Sequence, residues 1–210
     1  MESDFWVQRW RDGQIGFHEG RPNALLEANL AEFGEAKTVL VPLCGKSEDL
    51  ALLAGQGHEV IGVELVPEAA RAFFVEHGIT PQVTRSGEFE VFQAGRVRIL
   101  AGDFFALTAG QLEPLEALYD RAAIVALPPA LRQRYARHVR SLLQPGAIGL
   151  TITFVYPQER RAGPPFSVPE DELRALYEGL DLQPLDERPC VLGAPTDRLP
   201  CRECCFRVRF

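Results

Sequence analysis

Strand-like and helix-like segments alternate along most of this chain, and that alternation constrains the fold more than any other feature. Short apolar runs, such as residues 38–42 and 58–64, are separated by stretches in which apolar residues recur every three or four positions. A chain of this kind folds as a parallel sheet that is covered by helices on both faces. The sequence therefore predicts a single α/β domain, for which 210 residues provide a sufficient core.

Local signals divide the chain into candidate elements, because capping residues or prolines stand where most helices would start. The helices are predicted over residues 4–11, from Asn23 onward, from Ser47 to Gly55, from Pro67 to Gly78, after Pro129 and after Pro169. The strands are predicted over residues 38–42, 58–64, 89–92, 97–100, 119–127, 149–156, 183–190 and 204–209. Residues 89–92 and 97–100 read as a hairpin whose second arm is the third strand of a sheet with about seven strands.

Charge and hydropathy exclude several classes of partner. The formal net charge is −7, and no long basic run is present, so we expect no nucleic-acid partner. The longest apolar stretch, residues 146–155, is too short to span a bilayer, so we expect no membrane partner. The N-terminus, MESDFWVQRWRDG, lacks the apolar core of a signal peptide, which predicts a cytoplasmic location.

Five cysteines are present, with Cys44 alone and the others near the end of the chain. In a cytoplasmic protein we expect all of them to be reduced thiols. The Cys201-x-x-Cys204 spacing, with Cys190 and Cys205 nearby, also permits a zinc site. Structural zinc sites usually take two well-spaced pairs, so the favoured interpretation is that Cys204 and Cys205 pack in a terminal strand.

The turn after the first strand, Pro-Leu-Cys-Gly-Lys-Ser at residues 42–47, is the first candidate ligand site. It is not a P-loop, because that motif needs a glycine where this chain has Leu40. Glu64 follows at the end of the second strand, where a carboxylate can accept hydrogen bonds from a ribose. A turn with one glycine suits a nucleoside ligand without a pyrophosphate, such as S-adenosylmethionine. The alternative, that Glu64 is an exposed acid at a strand end, stays open.

Two further strand ends carry residues with open alternatives. Asp103 either bonds an adenine amino group or caps the next helix, and Phe104 either stacks on the base or belongs to the core. Asp120 and Arg121 lie within an apolar strand, where a charge needs a partner. The simplest interpretation of that pair is an internal Asp–Arg ion pair.

The four histidines, His18, His58, His77 and His138, show no metal-ligand spacing, so no metal is predicted. No Ser/His/Asp arrangement stands out, and no pair of carboxylates suggests hydrolysis. Cys44 lies in the ligand turn, but a single buried thiol is more often a packing residue than a nucleophile.

Several short motifs, in order over nearly the whole chain, resemble the thiopurine S-methyltransferase family, and the compact spacing is similar to its bacterial members. The motifs are Phe5-Trp6-x-x-Arg9-Trp10, Ile15-Gly16-Phe17-His18, Val41-Pro42-Leu43-Cys44-Gly45-Lys46-Ser47, Gly57-His58, Gly62-Val63-Glu64, Asp120-Arg121-Ala122-Ala123 and Gly163-Pro164-Pro165-Phe166. The Cys-rich run at residues 200–206 departs from the family pattern, and nothing is carried over there.

This resemblance implies a class I methyltransferase fold, Rossmann-like, with a seven-stranded, mostly parallel sheet whose last strand runs antiparallel. It implies S-adenosylmethionine as cofactor, with Trp10 covering it and Leu43 lying against it. Glu64 would hold the ribose, and Asp103 and Phe104 would line the adenine pocket.

The resemblance also implies an acceptor side. Arg121 would lie beside the cofactor or the acceptor, as the one candidate catalytic residue, and Phe17 would bind substrate as part of a lid formed by residues 1–22. The loop at residues 163–166 would lie at the acceptor mouth. We expect the lid to become ordered when cofactor binds, because Trp10 gains its contacts only then.

Together these features predict a monomeric methyltransferase that moves a methyl group to the sulfur of a thiopurine or related heteroaromatic thiol. One alternative keeps the cofactor and changes the acceptor to a selenium or tellurium oxyanion, a halide or an aliphatic thiol. Another is a protein that binds the cofactor without catalysis. A hydride-transfer enzyme is less consistent, because the turn lacks the glycines that cradle a pyrophosphate.

Overall fold

One mixed sheet organises the structure, which is a computed structural model describing residues 3–13, 18–35, 37–193 and 196–210. Within those ranges the sheet has nine strands, which are β1 (Thr38–Pro42), β2 (Glu59–Glu64), β3 (Gln82–Ser86), β4 (Phe89–Ala94), β5 (Val97–Ala101), β6 (Leu115–Asp120), β7 (Leu143–Val155), β8 (Asp181–Leu192) and β9 (Leu199–Arg209). Across the sheet their order is β3-β4-β5-β2-β1-β6-β7-β9-β8.

Helices flank this sheet. In the same described ranges they are α1 (Ser3–Arg11), α2 (Ala24–Asn29), α3 (Glu48–Gly55), α4 (Pro67–Glu76), α5 (Ala123–Ala126), α6 (Pro129–Leu142) and α7 (Glu170–Leu176). The predicted starts are confirmed: Asn23 accepts hydrogen bonds from the first backbone N–H groups of α2, and Ser47 does the same for α3. None of these described helices is both long and apolar enough to cross a lipid bilayer.

Alternate residues of β1 point into two different cores, as expected for a sheet with helices on both faces. Val39 and Val41 pack in the core that includes α2, α3 and α4. Leu40, between them, packs in the core that includes α5, α6 and α7. All three side chains are buried, so the continuous apolar run of β1 reflects burial on both faces.

The predicted seven-stranded, mostly parallel sheet is present as β5-β2-β1-β6-β7-β9-β8. The last strand, β9, pairs antiparallel with both β7 and β8, as the family resemblance implied. The sheet continues beyond β5 through the antiparallel strands β4 and β3. The strand β3 was not predicted, because all five of its residues are exposed and carry no periodic apolar signal.

The predicted strand over residues 119–127 is wrong in its second half. The strand β6 ends at Asp120, and the apolar residues after it form the short helix α5. Asp120 causes the change, because its carboxylate accepts hydrogen bonds from the backbone N–H groups of Ala123 and Ile124, at 3.1 and 3.2 Å. A buried apolar run does not by itself distinguish a strand from a helix.

The expectation of reduced cysteines is wrong for two of the five. Cys190 on β8 lies directly opposite Cys201 on β9, with Cα atoms 5.0 Å apart, and the two form a disulfide. The zinc alternative is also wrong, because two of its four sulfur atoms are in this bond. Cys204 and Cys205 are buried in β9, which confirms that they pack.

Candidate active site

The carboxyl ends of β1, β2, β5 and β6 meet at one edge of the sheet, where they open into a cavity of about 1270 Å³. Open α/β sheets bind their ligands at this edge. Helix α1 lies over the cavity, with Trp6, Arg9 and Trp10 among its lining residues. Ligand pockets usually measure about 300–1,000 Å³, so this space is large enough for two small molecules side by side.

The turn after β1 forms part of the cavity wall and folds back onto β2. Leu43 has a left-handed φ of 50°, and Gly45 has a φ of 56°. Between them, the backbone N–H of Cys44 donates to the carbonyl of Val63 at 3.1 Å. A left-handed leucine is uncommon, which indicates that the surrounding contacts determine the shape of this turn.

Because Gly62 on β2 has no side chain, this turn can pack closely against the strand. A Cβ atom at position 62 would lie 2.7 Å from the Cys44 Sγ, well inside van der Waals contact. Cys44 is buried, and burial raises the pKa of its thiol well above the ordinary value. The structure therefore supports packing, rather than nucleophilic attack, as the role of Cys44.

Glu64 ends β2 and is buried rather than exposed, which overturns the alternative of a solvent-exposed strand-end acid. Its Oε2 accepts from the backbone N–H of Gly45 at 2.8 Å, and its Oε1 accepts from that of Val66 at 2.9 Å. Burial raises the pKa of this carboxyl, and the backbone donors oppose part of the rise. Each oxygen keeps further acceptor capacity, and the residue lines the cavity.

Asp103 and Phe104 follow β5 and also line the cavity. The Asp103 carboxylate accepts from the backbone N–H of Phe105 at 2.9 Å, so the capping interpretation is confirmed. Phe104 is buried, with its ring centroid 5.5 Å from that of Tyr135 and 5.1 Å from that of His138. Phe104 therefore belongs to the core and also lines the cavity.

Asp120 and Arg121 do not pair with each other, so the predicted internal ion pair is wrong. The Asp120 Oδ2 accepts from the hydroxyl of Tyr135 at 2.7 Å, and burial raises the pKa of this carboxyl to about 6. The Arg121 Nη2 instead donates to the Glu19 Oε1 at 2.5 Å. Adjacent residues at the end of a strand point in opposite directions, which sends Asp120 into the core and Arg121 into the cavity.

His18 and Glu19 attach the N-terminal segment to both sides of the cavity. His18 Nε2 lies 3.9 Å from a carboxylate oxygen of Glu76 on α4, and the Lys46 ammonium contacts that same carboxylate. The lysine of the Gly-Lys-Ser triplet therefore forms an ion pair with Glu76. Phe17, the predicted substrate-binding residue, lies outside the described residues.

A largely buried polar network in the cavity wall was not predicted. Asp49 on α3 accepts from the backbone N–H of Asn23 at 2.7 Å and from the Tyr119 hydroxyl at 2.9 Å. The Asn23 amide also donates to Glu203 at 2.8 Å, and the Arg188 Nε donates to the same carboxylate at 2.6 Å. Only the capping role of Asn23 had a sequence signal, because the other partners are distant along the chain.

The far side of the cavity is formed by the loop at residues 163–166 and the end of β8. Arg161, Pro164 and Pro165 line it, and an acceptor mouth at this loop stays a prediction. The loop is tied to α5 by a hydrogen bond from the Phe166 N–H to the Val125 carbonyl at 2.6 Å. The cavity thus mixes carboxylates, such as Glu64 at the β2 end, with guanidinium groups, such as Arg161 beside this loop.

Comparison with known proteins identifies relatives of this chain. The model of the family described as thiopurine S-methyltransferase matches residues 1–191. A Pseudomonas syringae pv. tomato protein named thiopurine S-methyltransferase is 49% identical over 181 residues, covering 85% of this chain and 82% of its own. A protein of the same name from Pseudomonas putida KT2440 is 46% identical over 197 residues, covering 93% and 91%.

Solved structures support the fold alone. A Burkholderia thailandensis 1,6-didemethyltoxoflavin-N1-methyltransferase, solved with S-adenosylhomocysteine, superposes with a TM-score of 0.64 at 20% identity, covering 99% of this chain and 86% of its own. A SAM-dependent methyltransferase from Methanosarcina mazei gives a TM-score of 0.61 at 15% identity, covering 90% and 99%.

Proposed function

The chain belongs to the thiopurine S-methyltransferase family and is an S-adenosylmethionine-dependent methyltransferase, and from this premise we propose that it methylates the sulfur of thiopurines or related heteroaromatic thiols. The observation that carries the proposal is the cavity itself, with a ribose-type acid at one end and the Arg121 guanidinium inside it.

The residues at the β2 end fit this cofactor. Glu64 is buried, lines the cavity and keeps unused acceptor capacity, which suits the two hydroxyls of a ribose. The turn holding Leu43 is too tight to cradle a pyrophosphate, and this cofactor has none. Trp10 would cover it from α1, while Asp103 and Phe104 would border its adenine. When bound, S-adenosylmethionine supplies a methyl group that a sulfonium makes electrophilic.

Arg121 is the residue proposed to act on the acceptor. Its side chain is only 16% exposed, so its charge is poorly screened by water. A fixed positive charge near a thiol lowers the thiol pKa and favours the thiolate, which is the stronger nucleophile. A heteroaromatic thiol already ionises readily, so no dedicated general base is required. The resemblance also implies a place for Arg121 beside the cofactor, and both placements lie within the same cavity.

The remaining task of the protein is to align the two sulfur atoms and exclude water. We assign this task to residues 1–22, as a lid of a single methyltransferase domain that includes Phe17 on the substrate side. The contacts of His18 and Glu19 support the assignment, because they hold the segment against the cofactor turn and against Arg121.

Incubation with deuteromethyl-labelled S-adenosylmethionine and 6-mercaptopurine tests the proposal. We expect mass spectrometry to find the label on sulfur, and Arg121→Ala to lower kcat/KM at least about tenfold, the loss expected when a charge-assisted contact is removed. Arg96→Ala is the matched control, because Arg96 pairs with Glu59 on the exposed far end of the sheet. Unlabelled thiol would refute the proposed activity, and unchanged kinetics in a folded Arg121→Ala protein would refute the role of Arg121.

A further inference from the structure

Two histidines and two glutamates lie together beside the turn after β1. His18 belongs to the N-terminal segment, and Glu48 is the first residue of α3. Glu76 is the last residue of α4, and His77 directly follows it. One ring nitrogen of His18 and one carboxylate oxygen from each glutamate all lie within 4.8 Å of one another. These residues come from three separate segments, so their spacing along the chain shows no metal-ligand motif.

The distances in this cluster suit side chains that share one metal ion. Zn²⁺ binds imidazole nitrogen and carboxylate oxygen at about 2.0–2.2 Å, so two of its tetrahedral ligand atoms lie about 3.3–3.6 Å apart. The His18 Nε2 lies 3.9 Å from the Glu76 Oε2, which is too long for a hydrogen bond. The His77 Nε2 lies 3.2 Å from the Glu48 Oε2. Small rotations of these partly exposed side chains would bring both pairs into the range for zinc ligands.

The ring of His77 is oriented as that of a metal ligand is. Its Nδ1 lies 2.8 Å from the carbonyl oxygen of Phe73, which can only accept, so Nδ1 carries a proton. In the neutral ring, Nε2 then carries a lone pair, and this lone pair faces the Glu48 carboxylate, which is another acceptor. Two acceptors this close need a proton or a metal ion between them. Histidines that bind metals usually donate their other ring N–H to a backbone carbonyl or a carboxylate in this way.

The Lys46 ammonium belongs to the same cluster and leaves room for an ion. It contacts the Oε1 atom of Glu76, whereas His18 faces the Oε2 atom. The hydrogen bond from Lys46 lowers the pKa of Glu76, so this carboxylate stays ionised, as a metal ligand must be. When both histidine rings are neutral, the two carboxylates outweigh the one ammonium, and the cluster carries a net negative charge that attracts a cation.

We propose that this cluster binds one divalent transition-metal ion of the Zn²⁺ class, through His18, Glu48, Glu76 and His77. Imidazole nitrogen favours such ions over Mg²⁺ and Ca²⁺, which prefer oxygen ligands. His18 and Glu48 line the cavity, which gives the ion a path to the site. The bound ion would tie the N-terminal segment to α3 and α4. The site uses none of the cysteines, and its existence does not depend on which acceptor the protein methylates.

Titration of the full-length protein, freed of metal with a chelator, tests the proposal. Calorimetry with Zn²⁺ should show one ion per chain, and Mg²⁺ should bind at least about a hundredfold more weakly. Bound Co²⁺ should give visible absorption bands without a thiolate-to-cobalt charge-transfer band, which excludes the free cysteines as ligands. His18→Ala and His77→Ala should each weaken Zn²⁺ binding at least about tenfold. His138→Ala is the matched control, because His138 is a partly buried histidine on α6 that contacts the carbonyl of Phe104.

Circular dichroism checks that each variant is folded. If the cluster is only a set of ion pairs with a protonated His77, the protein will show no saturable Zn²⁺ binding, which would overturn the inference. A thiolate band with Co²⁺, or equal Zn²⁺ affinities in wild type, His18→Ala and His77→Ala, would overturn it as well.

Hydrogen exchange tests whether the ion ties the N-terminal segment down. Zn²⁺ should slow amide exchange at residues 18–21 in wild type, because His18 is then held by a metal that other segments also bind. In His77→Ala the slowing should be lost or much reduced, although this residue lies far from the segment in sequence. Equal exchange at residues 18–21 with and without Zn²⁺ in wild type would refute the tether. A protein that binds Zn²⁺ as described but methylates no thiol would refute the proposed function and leave this inference standing.

Discussion

Replacing Glu64 with glutamine tests the cofactor site directly. In the wild type, both oxygens of the carboxylate already accept backbone hydrogen bonds, from Gly45 and from Val66. Glutamine keeps one acceptor oxygen and puts an amide NH₂ in place of the other. That NH₂ must face a backbone N–H, so one buried donor loses its partner, and the ribose loses one charged acceptor.

The size of the effect follows from these lost contacts. A hydrogen bond to a charged group contributes about 1.5–3 kcal/mol, which corresponds to an affinity loss of about 10–150-fold. A buried donor without a partner costs about 1–3 kcal/mol of stability. For a chain of this size, that cost lowers Tm by about 2–12 °C.

Isothermal titration calorimetry with S-adenosylhomocysteine measures the first effect, and thermal unfolding measures the second. Glu88→Gln is the control, because Glu88 is an exposed carboxylate in the turn between β3 and β4. Since the ionised Glu64 carboxylate is the form that binds and burial raises its pKa, wild-type affinity should fall as the pH drops through that raised value. Glu64→Gln should lack this pH dependence. An affinity within threefold of the control would refute the assignment of Glu64.

Three further changes test the fold around the cavity. Asp120→Asn should remove a pH dependence of stability. Because the folded pKa of Asp120 is about 6 and the unfolded value is about 3.9, the contribution of Asp120 to the free energy of unfolding is full below pH 4 and falls by about 3 kcal/mol as the pH rises through 6. Urea unfolding from pH 4 to 7 would show or contradict this decrease. Gly62→Ala should cost about 1–3 kcal/mol by pushing a Cβ against the Cys44 Sγ, and adding Cys44→Ala should recover part of the loss; no recovery would mean that the contact is not the cause. S-adenosylhomocysteine should slow tryptic cleavage at Arg9 and Arg11 if α1 covers the cofactor, and equal cleavage with and without it would argue against a lid.

The sequence predicted the parts of the fold that depend on burial and on local capping. Continuous apolar runs marked β1 and β2, and Asn23 and Ser47 marked the starts of α2 and α3. It could not predict β3, because an exposed strand carries no apolar pattern and forms through its pairing with β4. Residues 123–126 were misassigned, because a carboxylate cap decided between two buried conformations.

The site could be predicted only where the position of a single residue along the chain indicates its place in the fold. Glu64 ends a buried strand, so its location at the ligand edge of the sheet followed from the pattern, whereas its burial did not. The partners of Asp49 and Arg121 could not be predicted, because Tyr119 and Glu19 come close to them only through the folded topology. The same limit applied to Cys190 and Cys201, which pair through the register of β8 on β9.

The central claim is that the methyl acceptor is a heteroaromatic thiol, and a competition experiment tests it most directly. The protein would receive deuteromethyl-labelled S-adenosylmethionine and equimolar 6-mercaptopurine, selenite, iodide and an aliphatic thiol in one mixture. We predict that the label accumulates on the sulfur of 6-mercaptopurine, with a kcat/KM at least about tenfold above that of every competitor. Label appearing mainly on selenium, iodide or the aliphatic thiol would contradict the claim, and so would tight binding of S-adenosylhomocysteine with no transfer to any acceptor.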